Sequence, residues 1–192
     1  MKKNILGFGI LTVLVLLLVM NIFKDEKASE TAVSSTTHTA NEIEAAETEV
    51  SSESKYAQDF TLTTLQGEQV SLSDYKGKIV ILNFWTSWCG PCKEEMPHMQ
   101  SFSEKHPDIQ MLAVNLTSMD LGLDAVKQFV EDYELTFPIL LDEADIVGKA
   151  YNILTIPTSY IIAPEGRVFR EVIGPMDETM MEELISALKS YD

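Results

Sequence analysis

The sequence predicts an α/β domain, a mixed sheet with helices on both faces, carried behind a single membrane-spanning helix and a polar tether. Three observations carry this expectation. From about residue 56, apolar β-type runs alternate with stretches of helical periodicity. The alternation closes on two strands around a tight turn and a last helix, which adds antiparallel strands to parallel ones. Ahead of it all stand a long apolar run and then a long stretch without hydrophobic period.

The apolar run is Ile5 to Phe23, interrupted only by Thr12 and Asn21 and preceded by Met1-Lys2-Lys3. At about nineteen residues it approaches the length that spans a bilayer as a helix. It exceeds a usual signal-peptide core and no small-x-small cleavage site follows. Residues 1–23 are therefore expected to be an uncleaved signal-anchor, with a cleaved signal peptide as the alternative. No cysteine follows to accept a lipid. Lys2 and Lys3 favour a cytoplasmic N-terminus, which sends the rest of the chain to the extracytoplasmic side of the cell membrane; Lys24 and Lys27 weaken the asymmetry. Residues 24–55 are dominated by Ser, Thr, Ala and Glu, with no Trp or Phe. Such a stretch buries too little apolar area to offset its ordering entropy, and is expected to be a disordered linker. As a flexible coil it reaches roughly 30 Å.

Residues 56–192 make the globular domain. Phe60-Thr61-Leu62 and Gln69-Val70-Ser71-Leu72 flank a turn at Gly67 and read as a hairpin. A strand at 78–85 leads into a helix running to about Lys105, and Ile109 to Leu116 is a second buried strand. Ala125, Val126, Phe129, Val130 and Tyr133 recur at helical spacing. A short strand, Phe137 to Leu141, and a short helix, 144–151, follow. Strands at 158–163 and 167–173 flank Pro164-Glu165-Gly166. Asp177 caps a final helix whose inward face is Met180, Met181, Leu184, Ile185 and Leu188.

The chemistry is concentrated in Trp88-Cys89-Gly90-Pro91-Cys92, which holds both cysteines of the chain. The motif sits where a strand gives way to a helix. There, unpaired N–H groups and the helix dipole stabilise a thiolate on the first sulfur, and the second lies one turn on. A purely structural disulfide closing so short a loop removes little entropy from the unfolded chain. A closed zinc site needs four ligands, and His38, His98 and His106 show no ligand spacing; no metal is expected. What remains is a redox-active dithiol needing no other cofactor. Pro91 has the fixed φ of a first helical turn, and Gly90 lets a substrate backbone approach. Cys89 is expected to be the exposed nucleophile and Cys92 the buried resolving thiol. Trp85 and Trp88 frame the site, and each also fits ordinary packing.

Trp-Cys-Gly-Pro-Cys resembles the active-site signature of the thioredoxin superfamily, and the resemblance extends from about Tyr56 to the C-terminus. Pro97, five residues past Cys92, matches that fold's helix-kinking proline. Ile156-Pro157-Thr158 matches its cis-proline loop, which implies that Ile156 and Pro157 line a substrate groove with Trp88, Gly90 and Pro91. By itself an X–Pro bond is far more often trans. The segment 117–151 is long for the minimal fold. With the leading hairpin, the anchor and Lys93-Glu94-Glu95-Met96-Pro97, it resembles the membrane-anchored TlpA/ResA/StoA-type reductases. Cytoplasmic thioredoxins carry a buried Asp six residues before the first Cys; here Asn83, which cannot titrate, occupies the place. Glu95 stands where ResA-like proteins carry a Glu, one helical turn from Cys92, so both can share a face. Glu95 is the candidate for proton transfer to the thiols, set against a solvated helix carboxylate like Glu94. Many ResA-like proteins also carry Glu between the cysteines, where this chain has Gly-Pro.

The resemblance implies an extracytoplasmic thiol–disulfide oxidoreductase that reduces disulfides in exported proteins. Candidate substrates are the haem-site cysteines of apocytochromes c, or envelope proteins needed for spore formation. The implied electron donor is a membrane thiol transporter of the CcdA type. A peroxiredoxin-like peroxidase is the alternative enzyme. Thr86-Ser87-Trp88-Cys89 contains its Thr-x-x-Cys, but the expected proline is Leu82, and Arg167 and Arg170 sit in the final hairpin. A copper-handling module of the Sco type is the non-enzymatic alternative; it uses Cys-x-x-x-Cys and a downstream His, whereas no His follows His106. The net charge is −16, and from Tyr56 onward 22 acidic residues face 9 basic ones. Nucleic acid is not a partner for such a surface.

Overall fold

The computed structural model describes residues 56–191. The expected anchor at 1–23 and linker at 24–55 lie outside the described residues. Among the described residues, no helix is long and apolar enough to cross a membrane.

Seven strands form one sheet in the order β2-β1-β5-β4-β3-β6-β7. These are β1 (Thr61–Thr64), β2 (Gln69–Ser71), β3 (Val80–Trp85), β4 (Gln110–Asn115), β5 (Ile139–Leu141), β6 (Thr158–Ile162) and β7 (Val168–Ile173). The strands β3, β4 and β5 run parallel, and β6 and β7 continue antiparallel from β3. The leading hairpin is found as expected. It extends the sheet by pairing β1 antiparallel to β5, so the short strand of the 117–151 segment becomes internal.

Every residue of β3 is buried, as its unbroken apolar run requires for a strand covered on both faces. Alternation along the strand then sends side chains to two cores. Ile81 and Trp85 face the core built with α1 (Gly90–Lys105), α2 (Leu123–Asp132) and α4 (Glu178–Tyr191). Val80, Leu82 and Phe84 face the core with the 3-10 turn Leu72–Tyr75 and α3 (Ile146–Ala150). In that second core, Phe84, Tyr151 and Tyr160 pack ring to ring, with centroids 5.3 Å apart for Phe84 and Tyr151.

Asp177 Oδ1 accepts the Met180 backbone N–H at 2.8 Å, the expected cap at the start of α4. The inward face of α4 is narrower than the sequence predicts. Met181, Ile185 and Leu188 are buried and Leu184 packs against them, whereas Met180 is exposed. A helix resting on a sheet through one face turns the residue beside its stripe to solvent. At the start of the domain, Tyr56 forms an isolated antiparallel bridge with Arg167. That bridge marks the end of the sheet where β3 begins and β6 ends, since Val80 pairs with Ile162.

Candidate active site

The other end of β3 holds the cysteines. After Trp85 the chain turns through Thr86–Trp88, and Cys89 becomes the N-cap of α1, with Pro91 in its first turn. Cys89 and Cys92 are joined by a disulfide, their Cα atoms 5.2 Å apart. The Cys92 backbone N–H donates to Cys89 Sγ at 3.2 Å. An orphan helical N–H is thus aimed at the first sulfur, where it stabilises negative charge once the bond opens.

The disulfide is less exposed than expected of a nucleophile. Cys89 is 3 % and Cys92 0 % exposed. Cys89 belongs to the same buried cluster as Cys92 and Met96, and the outer surface is made by Trp88, Gly90 and Pro91, all exposed. Trp85 is a core residue with its ring 4.6 Å from that of Phe129. Trp88 is open to solvent and donates its indole N–H to the Met119 carbonyl at 3.0 Å. The Ile156–Pro157 bond is cis. Thr158 pairs with Phe84, so this loop emerges at the same end of the sheet as the cysteines. Ile156 is half-buried and Pro157 buried. The arginines of the peroxidase alternative lie elsewhere: Arg167, paired with Glu165 at 2.9 Å, sits at the opposite end of β6 and β7.

Behind the disulfide lies a buried polar cluster. Glu95 is 0 % exposed, on the same face of α1 as Cys92 and Met96, while Glu94 is exposed. It is therefore not a solvated helix carboxylate. Its Oε2 accepts from Asn83 Nδ2 at 2.9 Å, and its Oε1 from the Met176 backbone N–H at 3.0 Å. Asn83 Nδ2 also donates to Ser159 Oγ at 2.9 Å, across the β3–β6 pair. Burial raises the Glu95 carboxyl to about 7 against the lowering pull of these two donors. A buried acid titrating near neutrality, one turn from a thiol, has the properties of a proton acceptor and donor. The sequence points to Asn83 and Glu95 separately. It does not single out Ser159 or the Met176 N–H, and the one available signal is a small polar residue inside an apolar strand.

The AhpC/TSA family model matches residues 54–170. The thioredoxin-like protein YneN of Bacillus subtilis is 42 % identical over 132 residues, 68 % of this chain and 77 % of that protein. The thiol-disulfide oxidoreductase ResA of Geobacillus kaustophilus is 41 % identical over 135 residues, 69 % of this chain and 76 % of that one. The crystal structure of StoA from Bacillus subtilis superposes with a TM-score of 0.61 at 39 % identity, covering 67 % of this chain and 96 % of that one.

Proposed function

The chain belongs to the AhpC/TSA family and is a thiol–disulfide oxidoreductase of the ResA/StoA type, and from that premise we propose that it reduces disulfides of exported proteins on the outer side of the cell membrane. The observation that carries the reading is the Cys89–Cys92 disulfide at the head of α1 with the buried Glu95 carboxyl one turn behind it.

In the reducing direction, Cys89 thiolate attacks one sulfur of the substrate disulfide. A Cys89–substrate bond forms, and the other substrate sulfur leaves as a thiolate that takes up a proton. Cys92 passes its proton to Glu95 and attacks Cys89 Sγ. The second substrate sulfur leaves as a thiolate that takes up the proton held by Glu95, and the enzyme ends oxidised as two electrons pass to the substrate. Asn83 Nδ2 and the Met176 N–H each donate to one oxygen of Glu95, which orients the carboxyl one turn behind Cys92. A membrane thiol transporter of the CcdA type would then return two electrons and two protons. Apocytochromes c are the substrate class that the resemblance favours. The redox protein needs no metal or organic cofactor; its own disulfide carries the electrons.

The test is the redox state of Cys89 and Cys92 in intact cells, read by acid quench and alkylation, together with their reaction with a membrane-impermeant thiol reagent. A mostly reduced pair accessible from outside is expected. A mostly oxidised pair that stays oxidised when the donor is present would overturn the direction, and a pair that no external reagent reaches would overturn the location.

A further inference from the structure

Beside the disulfide, the loop between β4 and α2 is organised by one carboxylate. Asp120 Oδ2 accepts the Ser87 backbone N–H at 2.7 Å and Asn115 Nδ2 at 2.7 Å. Its Oδ1 accepts the Ser87 hydroxyl and, at 2.7 Å, the Leu121 backbone N–H. Four donors fill the lone-pair sites of an ionised carboxylate. They come from the turn before Cys89, the end of β4 and the loop itself. With the Trp88 indole bonded to the Met119 carbonyl, the loop is tied to both residues that precede the reactive cysteine.

What the loop displays is apolar. Met119 is 49 %, Leu121 74 % and Leu123 37 % exposed, next to Trp88 at 48 %. Scattered exposed apolar residues need no explanation. These stand on one short segment, fixed against the tryptophan adjoining the nucleophile. We propose that Asp120 is a positioning residue for substrate selectivity, holding Trp88, Met119 and Leu121 as a rim that receives an extended apolar segment flanking the substrate disulfide. The occupant follows from the chemistry. Exchange at Cys89 requires a substrate sulfur within bonding distance, so the residues beside that sulfur come to lie on Trp88 and the loop bonded to it. A disulfide in an incompletely folded protein still exposes its apolar neighbours. Acidic segments are disfavoured by the 22 acidic against 9 basic residues from Tyr56 onward.

The inference rests on the exchange reading above, and one experiment separates the two. The reduced full-length chain is mixed in single turnover with two disulfide-bonded peptides, one carrying Leu and Val beside the cysteines and one carrying Ser and Asn. The wild-type chain is expected to react about fivefold faster with the apolar peptide, the selectivity that partial burial of one or two aliphatic side chains supplies. Asp120→Ala and Leu121→Ser should each bring the ratio of the two rates close to one. Leu121→Ser touches none of the bonds that hold the turn, so it decides the matter if Asp120→Ala fails to fold. A wild-type ratio near one, or a ratio preserved in Leu121→Ser, overturns the rim, and a ratio preserved in a folded Asp120→Ala overturns the positioning role. Failure of the wild-type chain to react with either peptide overturns the exchange reading itself.

Discussion

Replacing Glu95 by Gln tests the buried cluster through its energetics. The unfolded carboxyl titrates near 4.5 and the folded one near 7, raised by burial. Between those values the folded state holds a proton that the unfolded state has released, so stability falls as pH rises through the window. Below the window the group costs nothing, and above it the full shift is expressed, about 3 kcal/mol at 1.36 kcal/mol per unit. Glu95→Gln removes the titration. The amide also fits, because Asn83 Oδ1 is buried without a partner. Turning the Asn83 amide over lets that oxygen accept from the introduced amide N–H and from the Ser159 hydroxyl, while the Met176 N–H donates to the introduced amide oxygen. The Asn83 N–H groups then lie where the unpartnered oxygen was, a cost that does not change with pH. Oxidised wild-type and variant proteins, unfolded in urea at pH 4.5 and pH 8.5, should therefore differ most at the higher pH, with the variant gaining about 3 kcal/mol relative to its difference at pH 4.5. Parallel pH profiles would refute the argument, since they would mean that Glu95 has the same proton affinity folded and unfolded.

Two further outcomes follow from the site and the packing. Cys92→Ser should accumulate a mixed disulfide between Cys89 and a substrate protein, visible as a reducible mass increase, whereas Cys89→Ser should accumulate none; equal trapping by both would reverse the assigned roles. Gly148→Ala, which by helix propensity alone would stabilise α3, should instead destabilise the fold by roughly 1–3 kcal/mol in urea unfolding, because a Cβ there would lie 2.9 Å from Leu116 Cδ2 and 2.7 Å from Asp145 Oδ1. Unchanged or higher stability would show that these neighbours move aside freely.

Much of the architecture is legible because it rests on local signals. The apolar run of β3 and the Cys-Gly-Pro-Cys motif at its end place the reactive sulfurs at a helix start. The alternation of elements anticipates a sheet covered on both faces. What stays hidden depends on residues far apart in the chain. The spacing from Cys92 separates Glu95 from Glu94, but only the packing of α1 on β3 makes the one fully buried and leaves the other solvated. Glu95 meets Asn83 twelve residues away and Met176 eighty-one residues away, separations that no periodicity encodes. Asp120 reads as one acid among many in an acidic chain, and its role appears only when Ser87 and Asn115 converge on it. The expected exposure of Cys89 exceeds the observed one for a related reason. A sequence names the nucleophile, whereas its shielding depends on how the first turn of α1 folds over it.

The bridge between Tyr56 and Arg167 gives the domain a polarity. The chain enters at one pole of the sheet, and the disulfide sits at the other, a six-residue strand away, roughly 20 Å. The reactive sulfurs therefore lie at the pole opposite Tyr56, and a substrate disulfide meets the domain at the end away from it. An interaction made at the Tyr56 pole therefore leaves the disulfide free to exchange, so the two ends of the sheet serve different contacts.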